Sequence, residues 1–168
     1  MNINFILRIF FYWWCILEIK VQNKNKKYAE LLKENYSGKF SDLVTFLFFK
    51  YQNYLFSNVD NFFSNNMGKI SNDSLSHLEI FGRIISLLGD TPDFNNFEYN
   101  KVYYINEKEK LIEIDIRIIK EKIIKYTKNM NLINDEYIKE ILKNFIIEER
   151  KNLEILEMIQ LKYKKEHF

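Results

Sequence analysis

The sequence predicts an all-α protein: four long helices packed as a bundle, with one long connection in the middle. Three observations carry this. One proline and four glycines in 168 residues leave too little punctuation for many short strands. Apolar residues recur at helical spacing through most of the chain. And two stretches 75 residues apart repeat one frame: Ser74–Phe81 and Glu149–Leu156 both read x-x-x-(His/Asn)-Leu-Glu-Ile-(Phe/Leu).

The chain length suits one domain with a real core. Hydrophobics at 47% and charges at 29% describe a globular chain. A net charge of +2, with no basic stripe between aromatics, argues against a nucleic-acid partner. The lone Cys15 gives neither a disulfide framework nor zinc-type spacing, so a reducing, cytoplasmic setting is expected.

Residues 1–26 are read as an apolar leader followed by a polar linker, and residues 27–168 as the bundle. In the leader, Arg8 and Glu18 limit the uninterrupted apolar run to Ile9–Leu17, short of the roughly 20 residues a spanning helix needs. Residues 5–19 could still dock at a membrane surface, on the domain or on a partner. Gln22–Lys27 is the polar linker.

Helix A is expected from about Ser37 to Phe56, with Leu43–Phe49 apolar nearly all round, as in an element buried on several sides. Helix B follows from about Asn66 to Leu88, with Ile70, Ser74, His77, Phe81, Ile84 and Leu88 on one face. Gly89 and Pro92 are its stop signal. Thr91–Asn106 is the long B–C connection. Helix C runs from about Glu107 to Asn129, with Ile112, Ile116, Ile119, Ile123 and Tyr126 aligned. Asn134-Asp135 offers an N-cap for helix D, which reaches about Lys164. Its seam is Ile138, Leu142, Phe145, Glu149, Asn152, Leu156 and Ile159.

Polar side chains in an apolar seam cost about 1–3 kcal/mol each unless they find partners. Ser74 and His77 in helix B, and Glu149 and Asn152 in helix D, sit in register with such seams. Superimposed, the two frames spell two altered copies of Glu-x-x-His. That spacing puts a carboxylate and an imidazole on one helical face, as in di-metal sites built inside four-helix bundles.

On these residues the chain resembles the ferritin-like proteins of the rubrerythrin and manganese-catalase branch. Ser74–Phe94 is similar to that family's second helix, with its His-Leu-Glu and a closing Leu-Gly-x-x-Pro. Tyr36–Leu43 resembles the start of the first helix, Asp115–Tyr126 the third and Glu148–Leu156 the fourth. The likeness covers roughly residues 27–161.

The resemblance implies metal ligands at six positions. Three keep a donor: Asp42, His77 and Glu149. Three have lost one: Ser74, Ile119 and Asn152. Asp73 lies about 100° around the helix from Ser74 and should point elsewhere. Asp115, a turn from Ile119, could at most make an outer contact. The expected outcome is a degenerate ferritin-like protein without di-metal oxidoreductase chemistry, serving a structural or interaction role. It would assemble with itself or with a related helical protein. In place of metals, His77 would be protonated between Asp42 and Glu149. The alternative is a metal-binding oxidoreductase with one Mn or Fe ion on those three residues, a donor set that also suits zinc.

No other set competes. The second histidine, His167, stands next to the C-terminal residue. Glu79 and Glu154 are expected on solvated faces, as is the lysine-rich stretch Lys120–Lys128. Tyr36, Tyr51, Tyr54, Tyr126 and Tyr137 are read as core aromatics.

Overall fold

The computed structural model describes residues 19–97 and 107–166. Five helices account for most of them: α1 (Lys26–Tyr36), α2 (Asp42–Phe56), α3 (Asn61–Leu87), α4 (Lys108–Leu132) and α5 (Glu136–Glu166). The leader lies outside the described residues except for Ile19, which packs half-buried against the core. No helix among the described residues is long and apolar enough to cross a membrane.

The first rod of the bundle differs from expectation. It is two helices, α1 and α2, where the sequence suggested a linker and then one helix from Ser37. Gln22–Lys27 is no free linker either. Gln22 N–H donates to Asp135 Oδ2 at 2.7 Å, Asn25 N–H donates to the Leu88 carbonyl at 3.0 Å, and the Asn25 side chain caps α1. The break has a local cause. Phe40 adopts a left-handed backbone (φ 57°), costly for a bulky residue. Ser41 is extended and caps α2, its hydroxyl accepting from Val44 N–H at 3.3 Å.

Together α1 and α2 run antiparallel to the 27-residue α3. Tyr36 lies beside Gly82, Ser71 Oγ donates to the Phe46 carbonyl at 3.0 Å, and the Phe56 and Phe63 rings meet edge-on at 5.0 Å. Helix α3 begins earlier than expected, at Asn61, because the Asp60 side chain accepts from Phe63 N–H.

One end of the bundle gathers Asn25, Leu88 and Asp135. The other gathers Asp60, Lys108 and Tyr163. There the Asp60 carboxylate takes the Lys108 ammonium at 2.7 Å and the Tyr163 hydroxyl, and burial is outweighed by these partners, which hold Asp60 at about 2. Helix α3 therefore ends at the first end while α4 starts at the second. The two run parallel, so the connection between them joins opposite ends of the bundle, where the sequence had suggested a crossing at one end. A four-helix bundle with one such crossover is a recognised topology. The start of the connection is clamped to α1: Lys33, nearly buried, bridges Asp90 at 3.1 Å and Asp93 at 3.2 Å, and Phe94 stacks on Tyr36.

The expected seams of the second and fourth rods hold residue for residue. Ile70, Ser74, His77, Phe81, Ile84 and Leu88 are all buried, as are Ile138, Leu142, Phe145, Glu149, Asn152, Leu156 and Ile159. The α4 seam is rotated from expectation. Ile116 and Ile123 are only half-buried, while Asp115, Ile118 and Lys122 join Ile112, Ile119 and Tyr126 inside. Of the five tyrosines expected in the core, only Tyr36 and Tyr126 are buried; Tyr54 and Tyr137 are exposed.

Candidate metal centre

Four helices deliver charged side chains to one point. Asp42 is the first residue of α2, where the helix dipole favours a carboxylate. His77 comes from α3, Lys122 from α4 and Glu149 from α5, and all four are completely buried. The three residues singled out from the sequence do meet: one donor atom each from Asp42, His77 and Glu149 lies within 4.8 Å of the others.

The fourth member was not foreseen. Lys122, assigned to a solvated face, extends its ammonium between the two carboxylates. Its Nζ is 2.6 Å from Glu149 Oε1 and 2.8 Å from Asp42 Oδ1, and it donates to Ser74 Oγ at 3.1 Å. The ammonium donates to Glu149 and Ser74, and its contact with Asp42 is an ion pair without an aligned hydrogen bond. Lys122 could have been found by following the stripe Asp115, Ile119, Lys122, Tyr126 at helical spacing. The flanking Lys120 and Glu121 disguised it as surface.

His77 faces the same two oxygens from the other side. Its Nδ1 is 3.3 Å from Glu149 Oε1 and 3.4 Å from Asp42 Oδ1, too loose for a well-aligned hydrogen bond to either. Its Nε2 is held at 2.8 Å by Glu148 Oε2, a partly exposed carboxylate at the rim that the sequence reading did not pick out. Phe145 stacks on the ring at 3.8 Å between centroids. Tyr126 closes the cluster by donating its hydroxyl to Asp42 Oδ2 at 2.5 Å.

The titration directions follow from these partners. Burial alone would lower the His77 pKa, but Asp42, Glu148 and Glu149 hold it well above the ordinary value, so the ring is a cation at neutral pH. Burial would raise Glu149, yet Lys122 and His77 bring it to about 2. Lys122 is likewise raised by Asp42 and Glu149 against the effect of burial. Burial, with the charges of Asp42 and Glu149, pushes Tyr126 well above its ordinary value and keeps its proton on. The Lys122 and His77 cations thus both face the ionised Glu149.

The remaining candidates stand apart. Ile119 is buried among apolar side chains of the neighbouring core cluster. Asn152 is buried with an unpartnered Nδ2. Asp73 is half-buried and outside the three-residue group. Asp115 makes no outer contact to that group; its Oδ1 accepts from Gln52 Nε2 at 2.7 Å. Glu79 and Glu154 are exposed, as expected.

No protein-family model matches the chain, and no curated protein matches it in sequence. Solved structures do match in shape. A manganese catalase from Anabaena superposes with a TM-score of 0.78 at 17% identity, over 88% of this chain and 77% of the catalase. The bacterioferritin of Rhodobacter capsulatus gives 0.76 at 15% identity, over 86% and 89%. That of Desulfovibrio desulfuricans, described with a diiron site, gives 0.69 at 22% identity, over 83% and 81%.

The fold is ferritin-like. The charged cluster sits at mid-bundle, where α3, α4 and α5 are each near the middle of their length. Its residues do not fit a di-metal centre. Ile119 cannot ligate, Ser74 engages the ammonium, and Asn152 offers only an amide. One cation fits the geometry of Asp42, His77 and Glu149, where the unbonded His77 Nδ1 faces both carboxylates. It would compete with the Lys122 ammonium for the same two oxygens.

Proposed function

We propose that this is a ferritin-like protein that has given up di-metal oxidoreductase chemistry and serves as a structural or interaction component. The observation that carries this reading is the contact of the Lys122 ammonium with both surviving carboxylates, at 2.6 and 2.8 Å. A di-metal clamp needs two cations a few ångströms apart, each with its own ligands. Here the carboxylates are met by side chains instead, and the cluster's role is to tie α2, α3, α4 and α5 together at mid-bundle.

The interaction role is directed at a second copy of the chain or a related helical protein. Apolar side chains remain on outer faces, among them Leu47 and Tyr54 on α2 and Met158 and Leu161 on α5. A second reading, an oxidoreductase with one Mn or Fe ion at Asp42, His77 and Glu149, is favoured by the 4.8 Å grouping of their donor atoms. Metal analysis of protein purified from its native source, with peroxide-consumption and ferroxidase assays, separates the two. The proposal expects substoichiometric metal and no turnover. Stoichiometric Mn or Fe that disappears in His77→Ala, together with turnover, would establish the second reading.

A further inference from the structure

We propose that Lys122 is a tethered cation that keeps divalent metal ions out of the bundle, and that a neutral side chain at this position unmasks a mononuclear site on Asp42, His77 and Glu149. The inference rests on the reading above, that the native core works with an ammonium where its neighbours would accept a cation.

Contacts among residues of four helices lead to it. Lys122 Nζ touches one oxygen of each carboxylate, Asp42 Oδ1 and Glu149 Oε1. These are the same two atoms that His77 Nδ1 faces at 3.4 and 3.3 Å. An ion bound to them would stand roughly 2.1 Å from each, within the space the ammonium occupies, so the two exclude each other sterically and by charge. His77 Nδ1 is a buried polar atom without a hydrogen bond, and Glu149 Oε2 is another. Native interiors seldom leave such groups unmatched; once the ammonium is withdrawn Glu149 Oε2 is free to donate to an ion, and His77 Nδ1 does so by releasing its proton to solvent as the ion binds.

The ring is also already oriented. Glu148 grips Nε2 at 2.8 Å, the carboxylate–histidine arrangement that fixes the orientation of a ligating imidazole and raises its basicity. Phe145 stacks on the ring and holds its plane. What Lys122 adds is a charge that cannot leave, on a stem rooted in α4. One imidazole and two carboxylates suit Mn(II), Fe(II), Co(II) or Zn(II).

The probe is Co(II), titrated into the full chain by calorimetry and followed by thermal unfolding. Wild type should bind Co(II) weakly, with no shift in Tm. Lys122→Met and Lys122→Gln should each melt below wild type without metal. Each should bind one Co(II) per chain at least ~10-fold more tightly than wild type, and the ion should raise Tm in the variants alone, as binding to the native state requires. Adding His77→Ala to either should return binding to the wild-type level.

If a variant is unfolded without metal, refolding on addition of Co(II) supports the proposal, and failure of both variants to refold overturns it. Folded variants that bind no better than wild type overturn it, and so does wild type binding one Co(II) tightly. The functional reading fails separately, on turnover by the native protein, which none of these measurements uses.

Discussion

At the scale of single residues, the interior shows how a carboxylate can be carried in a core in opposite ways. Glu149 is ionised because Lys122 and His77 face it. Asp115 has no such partner. Burial lifts its carboxyl well above the ordinary value near 3.8, offset only in part by the hydrogen bond from Gln52. Its Oδ2 and the Gln52 Oε1 are both buried without partners, and a neutral acid has a proton to offer where a carboxylate has none. A carboxyl raised on folding contributes stability that is full below its ordinary value and is lost as pH rises toward its folded value. Asp115→Asn removes that loss while keeping an acceptor for Gln52 and adding a donor. The variant should be more stable than wild type at pH 7, by about 1 kcal/mol, the scale of one net hydrogen bond. The gain should vanish near pH 3, as read by urea unfolding at both values. Equal destabilisation at both would mean that Asp115 is not held neutral.

At the scale of elements, the ends of helices were partly legible. Gly89 closes α3 in a left-handed turn (φ 87°), with Gly89 N–H donating to the Ser86 carbonyl at 3.0 Å and Asp90 N–H to that of Ile85 at 3.2 Å. That is the Schellman pattern, and it was readable from Leu-Gly followed by proline. Gly89→Ala forces a Cβ into the left-handed region and should cost about 1–2 kcal/mol, measurable as a lowered urea midpoint with unchanged m. The Asp135 cap was readable as well, its Oδ1 accepting from Tyr137 and Ile138 N–H. The break between α1 and α2 was not. Ser37 and Gly38 look like a helix start, and nothing in Lys39-Phe40 announces a left-handed phenylalanine. The contacts of Tyr36 with Phe94 and of Lys33 with Asp90 and Asp93 hold α1 in place from outside its own sequence.

For the whole molecule, ion pairs at the centre and at one end tie helices that are distant in sequence. Glu149 at the centre and Asp60 at the end are both held at about 2, against ordinary values of 4.5 and 3.8. A depressed carboxylate contributes stability that is present above its ordinary value and disappears as pH falls through the folded one. The bundle should therefore lose tertiary structure between about pH 4.5 and 2, with near-UV circular dichroism collapsing in that window. Glu149→Gln should flatten part of the acid limb. His77, raised on folding, acts with the opposite sign: its contribution is full below 6.5 and is lost as pH rises through its folded value. Unchanged near-UV signal at pH 2 would show that these pairs do not hold the bundle together.

The sequence by itself determined the helical content, two of the seams and a long connection after the second rod, and the likeness to ferritin-like proteins singled out three of the four charged residues at the centre. The helices and their seams follow from local periodicity, which a helix imposes on its own residues. Only the tertiary structure decided that the first rod is broken, that α4 turns its Lys122 inward and that the ammonium sits on Asp42 and Glu149. A lysine reads as solvent-facing when its neighbours are charged. Its burial depends on carboxylates brought from 80 residues upstream and 27 downstream, and only packing places those within 3 Å of its nitrogen.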